Sequence, residues 1–211
     1  MAIYLDSAIV SEAQAAVDLG WLYGITTNPT LLAKSGLPPA ETYRQLAELP
    51  VEEIYYQVSA ADLDQMLKEI DIASQILGDK LVVKIPPTRT GFRLAAEISR
   101  DFTTCLTAIF SPAQALAARA AKADYIAVYV NRATKWMGDG LGLTRGCAEV
   151  LAGSGTEILA ASLKSSEEVV AAFNAGAQHL TLPFELLQML IENGHSDRAV
   201  EIFTETGTHL D

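Results

Sequence analysis

The feature that most limits what this chain can fold into is its alternation between two hydrophobic periods. Short apolar runs give way to apolar residues at three- and four-residue steps, and back again, about eight times along 211 residues. The first pattern reads as strand and the second as helix. Strands are expected near residues 3–6, 23–27, 53–58, 80–86, 103–110, 125–130, 157–161 and 179–182. Helices are expected at 12–19 behind a Ser11 cap, then at 29–33, 39–49, 62–77, 91–98, 113–121, 144–151 and 165–176, with two more at 184–192 and 196–204. Tyr43, Leu46 and Leu49 share one face of their helix. Leu63, Met66, Leu67, Ile70, Ala73 and Leu77 form one stripe on the next. Ser111 and Pro112 supply an N-cap and a proline at the first helical position. Residues 137–142, Met-Gly-Asp-Gly-Leu-Gly, read as a loop.

Repeated strand–helix units imply a parallel sheet, and eight of them imply a closed (β/α)8 TIM barrel of the α/β class. An open dinucleotide-binding sheet lacks support, because no glycine-rich phosphate loop follows the first strand. One domain is expected over residues 1–211, with residues 196–211 as an added C-terminal helix and tail. Half of the chain is hydrophobic and 19% is charged, which suffices for one sizeable core. A net charge of -11 with no basic run argues against nucleic acid or an anionic membrane as partner. Cys105 and Cys147 stand in no metal-like spacing and read as small buried hydrophobes in a reducing compartment. No secretory leader and no membrane-length apolar run is evident, so the expected location is the cytoplasm.

Barrel enzymes carry their chemistry at the C-terminal ends of strands. Here those ends hold Asp6, then Thr26 and Asn28, Gln57, Lys84, Thr107, then Tyr129, Asn131 and Arg132, and lastly Ser162 with Lys164 beyond. Each alone has an ordinary explanation as a cap, a core hydroxyl or a surface charge. Their recurrence on successive strand ends is what a polar mouth on a packed core requires. Lys84 stands in an otherwise apolar run, Leu-Val-Val-Lys-Ile-Pro at 81–86. A lysine in such a strand either snorkels to water or is buried. Burial disfavours an ammonium, and a neutral amine attacks carbonyls to give a Schiff base. The histidines offer no metal set: His179 opens the last strand, while His195 and His209 fall near the C-terminus.

Six stretches together resemble the transaldolase family. They are Tyr-Leu-Asp at 4–6, Gly-Ile-Thr-Thr-Asn-Pro at 24–29, Val-Val-Lys-Ile-Pro at 82–86, Thr-Ala-Ile-Phe-Ser at 107–111, Tyr-Val-Asn-Arg at 129–132 and Ala-Ala-Ser-Leu-Lys at 160–164. The resemblance is closest to the short branch, which includes the small transaldolases and fructose-6-phosphate aldolase. It implies a class I enzyme that needs no metal or other cofactor. By resemblance Lys84 condenses with the C2 ketone of a sugar phosphate, and Asp6 takes part in proton transfer. Asn28 would hold the donor hydroxyls, with Thr26 in the same motif. Arg132 and Ser162 would grip phosphate, with Asn131 beside them. Gln57, Thr107 and Tyr129 would position a catalytic water.

Gln57 and Tyr129 stand where transaldolases typically carry Glu and Phe, and both resemble the aldolase. The implied activity is therefore cleavage or formation of fructose 6-phosphate from dihydroxyacetone and glyceraldehyde 3-phosphate. Transfer of a dihydroxyacetone unit between sugar phosphates, as in the pentose phosphate pathway, is the alternative. A sugar-phosphate-binding barrel without turnover is the remote one. Pro87, Arg89 and the glycine-rich 138–142 stretch match no landmark of the family. Short members assemble as rings, commonly decamers built from pentamers. The apolar face of Ala199, Val200, Ile202 and Phe203 would fit a helix docked on a neighbour or on its own barrel.

Overall fold

The computed structural model describes residues 1–207. Eight parallel strands close into a barrel in chain order: β1 (Ala2–Asp6), β2 (Gly24–Thr26), β3 (Glu53–Gln57), β4 (Leu81–Ile85), β5 (Thr103–Ile109), β6 (Tyr125–Tyr129), β7 (Glu157–Ala161) and β8 (His179–Leu182). Strand β8 pairs back onto β1, so no edge is left exposed. The helices are α1 (Val10–Val17), α2 (Pro29–Leu32), α3 (Pro39–Ala47), α4 (Leu63–Leu77), α5 (Arg89–Ile98), α6 (Pro112–Ala120), α7 (Val130–Met137), α8 (Gly140–Leu151), α9 (Ser166–Asn174), α10 (Phe184–Met189) and α11 (Gly194–Thr206). This is a (β/α)8 TIM barrel. Among the described residues no helix is long and apolar enough to cross a membrane.

Side chains alternate across each strand, so one residue in two enters the barrel. On β4, Leu81, Val83 and Ile85 join the core between sheet and helices. Val82 faces inward with Tyr4, Tyr55, Cys105, Ala127 and Leu159. Lys84 shares the parity of Val82, which puts it inside the barrel. The helical faces expected from the sequence form: Tyr43 and Leu46 of α3 are buried, as are Met66, Ile70, Ala73 and Leu77 of α4. Each fully buried aliphatic side chain of this kind contributes about 1.5–3 kcal/mol.

The barrel interior beneath the strand ends is aromatic and hydrogen-bonded. Tyr4 packs edge-on against Tyr55 at 5.5 Å. The Tyr4 and Tyr125 hydroxyls donate to the two carboxylate oxygens of Glu53 at 2.9 and 3.0 Å. Burial, reinforced by Glu53, pushes both hydroxyls above the usual tyrosine range, so they remain donors. Gly24 lies against this array, where a Cβ would collide with the Tyr4 ring and the Glu53 carbonyl. At the β1–β8 seam the Ala2 N–H donates to His179 Nδ1 at 3.2 Å. The proton of that imidazole therefore sits on Nε2 and is donated to Glu157 at 2.8 Å.

Three local expectations are corrected. Ser11 is not a cap: α1 begins at Val10, and Ile9 at its N-cap offers no side-chain bond. Ser7 fixes the approach to the helix, accepting from the Ile9 N–H at 3.1 Å and donating to Glu12 at 2.6 Å. Residues 137–142 are not one loop. α7 runs to Met137, Gly138 turns the chain at φ 93°, and Asp139 caps α8 by accepting from Gly142 N–H at 2.6 Å. Gly140 seats against the Val130 carbonyl, where any Cβ would collide. Asn131 and Arg132 consequently stand on the first turn of a helix rather than at a strand end.

The terminal helix α11 has no buried residue, and Val200, Ile202 and Phe203 are exposed on it. The tail beyond it, with His209, lies outside the described residues.

Candidate active site

At the C-terminal mouth of the barrel lies a cavity of about 150 Å³. Asp6, Thr26, Asn28, Lys84, Tyr129, Arg132 and Ser162 all line it, joined by Lys164 and Thr181 and by the apolar Ala127, Leu159 and Ala161. Its charged groups are Lys84, Arg132 and Lys164 against Asp6 alone, a positive site in an acidic protein. Such a site draws in an anionic ligand. Among the described residues no group of three His, Cys, Asp or Glu side chains converges as metal ligands.

Lys84 is 4% exposed. Its amine donates to the Thr27 carbonyl at 2.9 Å. That carbonyl is itself held in place. Thr27 Oγ1 donates to the Tyr55 carbonyl at 2.8 Å and lies 2.6 Å from the Tyr43 hydroxyl. The threonine proton is spent on Tyr55, so Tyr43 is the donor in the second bond. Cys105, the strand partner of Lys84, is fully buried, and burial pushes its thiol up to about 12. It remains a thiol beside the amine.

Asp6 ends β1 and accepts from Thr26 Oγ1 at 3.0 Å. Thr26 also lies 2.6 Å from Thr181 Oγ1. With the Thr26 proton committed to Asp6, Thr181 must donate to Thr26. A chain of two hydroxyls thus fixes one carboxylate oxygen and leaves the other to the cavity. Asn28 caps α2 by accepting from Leu31 N–H at 3.1 Å, which leaves its amide N–H groups for a ligand.

Thr107 meets the Tyr129 hydroxyl at 3.1 Å. A bulge in β5 after Leu106, with Ala108 at φ 53°, arranges this end of the strand. Ser162 likewise has φ 61°. Non-glycine residues in this region are strained and gather at functional sites. Gln57 does not join the Thr107–Tyr129 pair. It lines a neighbouring cleft with Leu32, Leu37, Pro38 and Tyr56, and its Oε1 is buried without a partner among the described residues. Asn131 is also diverted: its Nδ2 donates to Glu168 at 3.2 Å, and it does not line the cavity.

Sequence reasoning assigned no role to Thr27, Tyr43 or Thr181. Thr181 had a usable signal, as a hydroxyl on the last strand. Tyr43 had none, because it reads as one face of an amphipathic helix.

The model of the family described as Transaldolase/Fructose-6-phosphate aldolase matches residues 3–210. A "Probable transaldolase" of Hydrogenobaculum sp. (strain Y04AAS1) is 34% identical over 206 residues, covering 96% of this chain and 94% of the relative. A "Probable transaldolase" of Aquifex aeolicus is 32% identical, and one of Kosmotoga olearia 33%, each over the same shares of the two chains. With nearly the whole chain matched in this way, the chain belongs to the transaldolase/fructose-6-phosphate aldolase family and is an enzyme of one of those two kinds.

Proposed function

We propose that the protein is a class I aldolase that splits fructose 6-phosphate into dihydroxyacetone and glyceraldehyde 3-phosphate, and joins them again, through an imine on Lys84. The observation that carries this reading is the buried Lys84 amine facing the same cavity as a single carboxylate, Asp6, and two further cations, Arg132 and Lys164. The amine adds to the C2 carbonyl and water leaves, giving a protonated imine. The C3–C4 bond then breaks with its electron pair flowing into the imine, and the C4 hydroxyl gives its proton to Asp6, directly or through one water. Glyceraldehyde 3-phosphate departs and an enamine stays on Lys84. The proton on Asp6 returns to C3 through a water, and addition of that water at C2 releases dihydroxyacetone and restores the amine and the carboxylate.

Arg132 suits the terminal phosphate because a guanidinium donates a bidentate fork. Asn28 and Ser162, from the ends of β2 and β7, hold substrate oxygens. In this reading Tyr129 and Thr107 hold the water that protonates and hydrolyses the enamine.

Transaldolase activity is the second reading. It is favoured by the separation of Gln57 from the Thr107–Tyr129 pair and by the names of the relatives. With the water less well held, the enamine would wait for an aldehyde acceptor.

Glyceraldehyde 3-phosphate released from fructose 6-phosphate, followed with and without erythrose 4-phosphate, separates the two. Product without acceptor is expected; product only with acceptor would establish the transferase. Lys84→Met should lose roughly three orders of magnitude or more in rate, and full activity in that variant would end the imine reading. We also infer a cytosolic setting, supported by two free buried cysteines, and a homo-oligomer, supported by the unburied α11.

A further inference from the structure

We propose that Trp136 is a positioning residue for the phosphate site: it holds the Arg132 guanidinium over its ring, where a carboxylate would otherwise occupy the N–H fork, and so leaves that fork for a terminal phosphate. The proposal rests on the reading of Arg132 as the phosphate group's partner.

Arg132 Cζ lies 4.8 Å from the centre of the Tyr129 ring and 5.6 Å from that of Trp136. Both distances are within cation–π range. Phe110 braces the assembly, stacked on Trp136 at 5.3 Å and 26° and edge-on to Tyr129 at 6.0 Å and 74°. Trp136 follows Arg132 by four residues on α7, the spacing that places two side chains one above the other. Among the described residues no carboxylate pairs with Arg132.

How a guanidinium is held decides what it can still bind. A carboxylate would occupy its forked edge and cancel its charge. Aromatic faces hold it through the plane and leave charge and donors in place. Arg132 is on the exposed rim, where an unbraced arginine would spread over many rotamers. The stacked rings remove that freedom before a ligand arrives. They also explain a costly feature, a tryptophan that is 69% exposed. Tyr129 then has two separable parts: its hydroxyl meets Thr107, and its ring supports Arg132.

The test compares Trp136→Ala, Trp136→Leu and Trp136→Phe with the parent. Four quantities are measured: the affinity for inorganic phosphate by calorimetry, KM and kcat for fructose 6-phosphate, and borohydride trapping of phosphate-free dihydroxyacetone. The Ala and Leu variants should lose about two- to fivefold in phosphate affinity and gain as much in KM. Their kcat and their trapping of dihydroxyacetone should hold, and Trp136→Phe should recover most of the loss. The proposal is overturned if phosphate affinity does not change. It is equally overturned if Leu restores binding as well as Phe, which would mean packing alone, or if dihydroxyacetone trapping falls in step. A parent enzyme that traps no dihydroxyacetone would defeat the imine reading, while the phosphate titration would still judge Trp136.

Discussion

The Lys84 amine is held by the carbonyl of Thr27, and Thr27 is fixed through its own hydroxyl, which bonds the Tyr43 hydroxyl and the Tyr55 carbonyl. The position of the proposed nucleophile is thus set from α3, outside the sheet. Tyr43→Phe keeps the ring packing and deletes one buried hydrogen bond. It should cost about 1 kcal/mol in denaturant unfolding. It should also lower kcat several-fold with little change in KM, since the loosened group is the amine and not the substrate grip; a KM effect alone would refute this. This part of the site could not be read from the chain. Tyr43 and Thr27 are 16 residues apart, and the residue pattern of α3 explains Tyr43 fully as a buried apolar face. The strand-end residues were legible for the opposite reason. Polar residues such as Asp6, Thr26 and Lys84 recur at the ends of successive apolar strands, and that recurrence is what a polar mouth requires.

At the level of elements, the junction between α7 and α8 decides where Arg132 points. Gly138 makes the turn, and Gly140 lets α8 close onto the Val130 carbonyl. Gly140→Ala forces a Cβ into that carbonyl. It should destabilise the protein by about 1–3 kcal/mol in denaturant unfolding, and weaken phosphate binding because the first turn of α7 must shift. A variant as stable as the parent would show that the two helices are not locked there. The sequence marked this stretch as glycine-rich but not as a helix pair. Glycine supports a turn, a left-handed residue or a close approach equally well, and only the partner carbonyl distinguishes them. Strand positions, in contrast, were readable because each βα repeat confines them between turn signals. The bulge in β5 was not, since Ala108 carries no mark of its positive φ.

For the molecule as a whole, the count of eight units dictated closure, and closure dictated which parity of each strand lines the interior. What lies outside that logic is α11, which buries none of its own side chains. Sedimentation velocity should find an assembly larger than one chain, and deletion of residues 194–211 should reduce its size. A monomeric full-length protein would remove the oligomer from the proposal. The closed barrel has one more effect. Tyr4, Tyr55, Val82, Cys105, Ala127 and Leu159 plug it below Lys84 and are at most 1% exposed. Among the described residues the chamber is therefore closed below and opens at the strand C-termini. Under the proposed chemistry the three-carbon unit is tethered at the back and the aldehyde stands in front. Release has a fixed order, and an aldehyde re-entering from solvent meets the waiting enamine at the end of the same passage.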